Sequence, residues 1–94
     1  MKFLAVCGFG VGSSMVLKMT LDKVIKELGI DAVAENTDVT SAQATKADAI
    51  FTNEEMVGNL RNSVDIPIYP IKKYMDKDEV MEQVKKFLEE KNNK

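Results

Sequence analysis

Apolar residues in this chain alternate between short continuous runs and longer stretches with helical spacing. Phe3, Leu4, Ala5 and Val6 form one such run before glycines begin, which predicts a strand buried on both faces. From about residue 13 to 28 the apolar positions Leu17, Leu21, Val24 and Leu28 recur at helical intervals, and Gly29 stands where a helix C-terminus favours a left-handed residue. Residues 30–35 can supply a second strand. Thr40-Ser41-Ala42-Gln43 has the form of a capping box and predicts a short helix ending near Lys46. Residues 47–51 predict a third strand. Thr52-Asn53-Glu54-Glu55 then offers a second capping box, with acidic residues at the positive end of a helix that passes Val57 and Leu60 to about Asn62. Residues 66–71 are a fourth apolar stretch, and Pro67 within it cannot donate to a ladder, which predicts an edge strand. Asp76 or Asp78 starts the last helix, with Val80, Val84, Phe87 and Leu88 as its core stripe. Glu82 and Lys86 can pair at i,i+4, Lys91 and Lys94 suit its negative end, and the polar tail after Leu88 is expected to fray.

Four strands alternating with four helices predict an α/β fold, an open parallel sheet with right-handed crossovers and helices on both faces. Ligands of such sheets sit beyond the carboxyl ends of the strands, where the strand order reverses. With the order 2-1-3-4 that point lies between the first and third strands, beside Cys7 and Thr52-Asn53. A chain of 94 residues with no internal repeat or linker is expected to form one domain, 1–94.

Charge narrows the partners. Thirteen basic and fifteen acidic residues leave a net charge of -2, which gives no footprint for nucleic acid and no polybasic membrane anchor. The apolar run at residues 3–7 is too short for a signal peptide and no other stretch approaches membrane-spanning length, so the expectation is a cytoplasmic protein. One cysteine excludes an internal disulfide, and the absence of histidine removes the usual zinc sites and every Cys-His or Ser-His pairing. No metal and no cofactor are expected.

The chemistry concentrates in Cys7-Gly8-Phe9-Gly10-Val11-Gly12-Ser13-Ser14, where three of the chain's five glycines fall within five residues. Glycines there let successive N–H groups converge into an anion-binding nest that runs into a helix N-terminus. A phosphate cradle formed by residues 8–14 is the reading this predicts. Cys7 stands at its rim, where converging N–H groups and the helix dipole favour the nucleophilic thiolate. Ser13 and Ser14 can add hydroxyl donors or an N-cap. A small inert cysteine before a tight turn would be the plain alternative, but three alternating glycines exceed what a turn needs.

Related phosphate loops differ in telling positions. The third glycine comes one residue early for the dinucleotide motif G-x-G-x-x-G, although Glu35 imitates its ribose-binding acid, and a Walker A loop needs lysine where Ser13 stands. Low-molecular-weight and other cysteine phosphatases end their loop with arginine at that same position. Without the arginine fork, a phosphocysteine should persist rather than hydrolyse. A phosphoryl carrier therefore fits better than the alternative, a cysteine-dependent phosphatase or arsenate reductase-like enzyme.

These residues resemble the IIB component of the bacterial phosphoenolpyruvate-dependent sugar phosphotransferase system (PTS), in the lactose/ascorbate/galactitol group and most like its ascorbate type. The match rests on Cys7-Gly8-x-Gly10-x-Gly12-Ser13-Ser14-Met15 after the first strand, continuing through Lys18 and Met19. The resemblance implies that Cys7 accepts a phosphoryl group from a phosphohistidine of a IIA protein and passes it to a sugar entering through the IIC membrane transporter. It also implies a Rossmann-like or flavodoxin-like sheet of four parallel strands in the order 2-1-3-4. Phe9 departs from related loops, which often carry a polar residue there, and leaves the sugar open. Since this chain has no histidine, the acid and base for the transfers must come from the partners or solvent.

Overall fold

The computed structural model describes residues 1–6 and 11–92. Strands and helices alternate throughout: β1 (Lys2–Val6), α1 (Val11–Leu28), β2 (Val33–Thr37), α2 (Val39–Ala44), β3 (Ala49–Thr52), α3 (Glu54–Arg61), β4 (Ile68–Pro70) and α4 (Lys77–Asn92). The four strands form one parallel sheet in the order β2-β1-β3-β4. The predicted α/β class, the strand number and the 2-1-3-4 order all hold. The chain has the Rossmann-like, flavodoxin-like arrangement.

Side-chain alternation assigns each face of the sheet its own core. On one side Phe3, Ala5, Ala49, Phe51 and Tyr69 pack with Leu17, Leu21 and Val24 of α1 and Val80, Val84 and Phe87 of α4. Phe3 meets Phe51 and Phe87 edge-on at centroid distances of 5.3 and 5.5 Å, and Phe51 stacks on Tyr69 at 5.5 Å. Leu4, Val6 and Ile50 face the other way, against Ala42 of α2 and Leu60 of α3. The continuous apolar runs of β1 and β3 are thus explained, because both strands are covered on both faces. β2 and β4 are the edges, as Pro67 implied, and its carbonyl still accepts a hydrogen bond from the Ile50 N–H at 2.9 Å.

Helix ends depart from the expectations in small, explicable ways. Gly29 has φ of 65° and closes α1 as predicted. β2 begins three residues later than expected and ends two later, since pairing with all of β1 carries it to Thr37 opposite Val6. Asp38, not Thr40, caps α2, its carboxylate accepting from the Ser41 N–H at 2.6 Å, and that helix stops at Ala44 rather than Lys46. Asn53, not Thr52, caps α3, because Thr52 is drawn into β3 opposite Val6. Asp76 is the acid that starts α4, accepting from the N–H groups of Asp78 and Glu79. That helix continues to Asn92 instead of fraying after Leu88, with Lys91 in its last turn, while Lys94 lies outside the described residues. The Glu82–Lys86 pair is not formed among the described residues, so the stability of α4 rests on its buried stripe.

Candidate functional site

The carboxyl edge of the sheet is where this topology places a site, and its centre is the gap between β1 and β3. β1 ends at the fully buried Val6 in the middle of that edge, and Cys7 is the next residue of the sequence. Cys7, Gly8, Phe9 and Gly10 lie outside the described residues. Val11, Gly12 and Ser13 form the first turn of α1 and Ser14 is its fourth residue, buried at 3% exposure and engaged in polar contact. Neither serine is the N-cap that the sequence suggested as one role, because the helix opens two residues ahead of Ser13. The Ser13 N–H is among the first of α1, which have no intrahelical acceptor and carry the positive end of its dipole.

Neighbouring elements frame this edge. β2 delivers Asp38 just past Thr37, the residue paired with Val6. Asp38 is exposed, and the Ser41 backbone N–H, followed by the Ser41 hydroxyl, holds its carboxyl below the ordinary aspartate value. β3 delivers Thr52 opposite Val6, then Asn53, whose side chain accepts from the Met56 N–H at 2.8 Å. Thr52 is fully buried, and its Oγ1 is a buried side-chain polar atom with no hydrogen-bond partner among the described residues. Sequence reading cast it as a helix cap. A clue that it belongs to the strand is that residues 49–51 lead into it without a break and Asn53 is the better cap.

The segment between β4 and α4 closes the other side. Glu79 accepts from the N–H groups of Lys72 and Lys73 at 2.6 and 3.1 Å, and the buried Thr20 hydroxyl lies 2.6 Å from the Tyr74 carbonyl, tying the segment to α1. Lys72 reaches Glu54 in the first turn of α3 at 3.6 Å. Lys18, one of the residues in the extended motif, pairs with Asp22 at 2.8 Å. Glu54 and Glu55 are exposed on the first turn of α3, as expected for charges that complement its dipole. Arg61 is the last residue of α3, a helix that starts at the carboxyl edge and runs back across the sheet, so the chain's single arginine sits away from that edge. Glu35 pairs with Lys2 at 3.1 Å. No group of three metal-ligating side chains lies together among the described residues, and none of the described helices is long and apolar enough to cross a membrane.

Comparison with known proteins agrees with this arrangement. A family model described as the PTS system lactose/cellobiose-specific IIB subunit matches residues 2–86. A Mycoplasma pneumoniae protein described as an ascorbate-specific PTS system EIIB component is 28% identical over 90 residues, covering 94% of this chain and 95% of that one. A Shigella dysenteriae protein with the same description is 34% identical over 61 residues, 63% of this chain and 60% of its own length. Among solved structures, the lactose-specific IIB domain from Streptococcus pneumoniae superposes with a TM-score of 0.64 over 95% of both chains at 15% identity, a likeness of fold.

Proposed function

The chain belongs to the IIB subunit family of the sugar phosphotransferase system, and from that premise we propose that Cys7 is its phosphoryl acceptor. IIB subunits are phosphotransferases that work with IIA and IIC partners. In this reading the Cys7 sulfur attacks the phosphorus of a IIA phosphohistidine. The N–P bond breaks as the S–P bond forms, and the leaving imidazole takes its proton from IIA or solvent. A sugar hydroxyl at IIC then attacks the same phosphorus, its proton passing to a base on IIC or to water, and Cys7 leaves as thiolate. The N–H groups of residues 8–14, with any hydroxyl contribution of Ser13 and Ser14, hold the three phosphoryl oxygens through both transfers. No residue of this chain acts as general acid or base. We place the protein in the cytoplasm as a single 1–94 carrier unit, and take the sugar to be ascorbate-like because the Mycoplasma pneumoniae and Shigella dysenteriae relatives carry that description.

The observation that supports this reading is where β1 ends. Val6, the residue before Cys7 in the sequence, is the buried end of this central strand beside the reversal of strand order, and α1 begins at Val11. Met15 and Met19, half-exposed one turn apart on α1, give the adjoining surface an adaptable apolar face for partner proteins. A cysteine phosphatase shares nucleophile and loop but needs a loop arginine and an acid on a mobile segment to drive hydrolysis. Ser13 occupies the arginine's position and Arg61 stands at the far end of α3. Aryl-phosphate turnover tests the difference. Removal of one such transition-state donor costs about two to three orders of magnitude in rate, so negligible hydrolysis is expected. Hydrolysis at ordinary enzyme rates, lost in Cys7→Ser, would replace the carrier by the phosphatase.

A further inference from the structure

Buried hydroxyls nearly always find a partner, and an unmet one is destabilising relative to an apolar side chain of the same shape. Thr52 departs from this: it is 0% exposed and its Oγ1 has no partner among the described residues. Strand alternation turns it to the side of the sheet occupied by Ile50 and Val6, under α2 and α3, where valine would fill the same space without that penalty. Stability alone gives no reason for a hydroxyl here.

Its location supplies one. Thr52 is the last residue of β3 and pairs with Val6, the residue immediately before Cys7. Paired strands lie about 4.8 Å apart, so Thr52 stands one strand spacing from Val6, and Cys7 is the next residue of the sequence. The next residue, Asn53, caps α3, and the Thr52 carbonyl accepts from the Ile71 N–H at 2.7 Å, so the backbone that carries the hydroxyl is held from both sides.

We propose that Thr52 is a positioning residue whose hydroxyl donates a hydrogen bond to a phosphoryl oxygen on Cys7 and stays unpaired until that group arrives. The inference rests on Cys7 being the phosphoryl acceptor. It adds to the loop a donor from β3, outside the cysteine motif. An unpaired hydroxyl in the resting state and a paired one in the phosphorylated state differ in energy in the direction that favours phosphoryl uptake, since satisfying a buried donor is worth more than making an exposed bond.

Thr52→Val, Thr52→Ala and Thr52→Ser separate this from a packing role. Each would be mixed with phosphoenolpyruvate, the general phosphotransfer proteins and IIA, and the rate of phosphoryl uptake at Cys7 and the half-life of the phosphocysteine measured beside the thermal midpoint. Thr52→Val is expected to keep or raise the midpoint while slowing uptake about tenfold, the worth of one typical hydrogen bond. Thr52→Ala should slow uptake equally despite a lower midpoint, and Thr52→Ser should remain close to wild type. Wild-type uptake and half-life in both Thr52→Val and Thr52→Ala would overturn the inference and leave the Cys7 reading intact. A wild-type protein that takes no phosphate on Cys7 would overturn both.

Discussion

Tyr69 shows how one side chain links the core to the protein's response to pH. Its ring stacks on Phe51 inside the larger core, and its hydroxyl donates to Glu90 on α4 at 2.6 Å. Burial first, and the Glu90 hydrogen bond second, push its ionisation well above the ordinary tyrosine value. A raised pKa means that the folded state holds its proton more tightly than the unfolded chain, so this contribution is intact below the ordinary value of 10.0 and declines as pH rises beyond it. Tyr69→Phe is expected to flatten the alkaline arm of a stability-versus-pH curve, and an unchanged arm would contradict the assignment. Asp38 works with the opposite sign. Its carboxyl is lowered from 3.8 by the Ser41 N–H and hydroxyl, so its support for α2 is present above that value and lost as pH falls through and below it. Asp38→Asn should reduce the loss of stability as pH falls below the ordinary aspartate value, read from denaturant midpoints. Neither pairing was legible in the sequence, because Tyr69–Glu90 spans 21 residues and Asp38 stood just ahead of a more conventional-looking capping box at Thr40.

Elements were more legible than their ends. The apolar periodicity of α1 named Leu17, Leu21, Val24 and Leu28; the first three are fully buried and Leu28 packs partly buried at the edge of the same core. Leu21→Ala should destabilise the protein by about 2–5 kcal/mol in chemical denaturation, because it deletes buried methylenes from a packed face and leaves a cavity. Cap residues misled the reading by one or two positions where strand pairing competes with capping. Thr52 and Asn53 could each begin α3, and the ladder with β1 and β4 claims Thr52, leaving Asn53 to accept from Met56. Asn53→Ala is therefore expected to cost about 1 kcal/mol, while a cap at Thr52 would have made it neutral. The strand order could be inferred only through resemblance, since local pattern reports which segments are strands and says nothing of which lie side by side.

At the scale of the whole molecule the sheet brings together what the sequence separates. Val6, Thr37 and Thr52 end adjacent strands, so Cys7, Asp38 and Asn53 all follow from one edge although 46 positions divide the first from the last. The cysteine and glycine segment was legible because it is local and its composition is unusual. The orphan hydroxyl of Thr52 was not, because only burial on both faces of β3 makes a common threonine conspicuous. The central claim is that Cys7 carries the phosphoryl group. Incubation with phosphoenolpyruvate, the general phosphotransfer proteins and IIA, followed by intact-mass and peptide analysis under conditions that preserve phosphocysteine, tests it most directly. The account predicts a gain of about 80 Da located on Cys7 and absent from Cys7→Ser. A gain located on Ser13, Ser14 or any other residue while Cys7 stays free would contradict it.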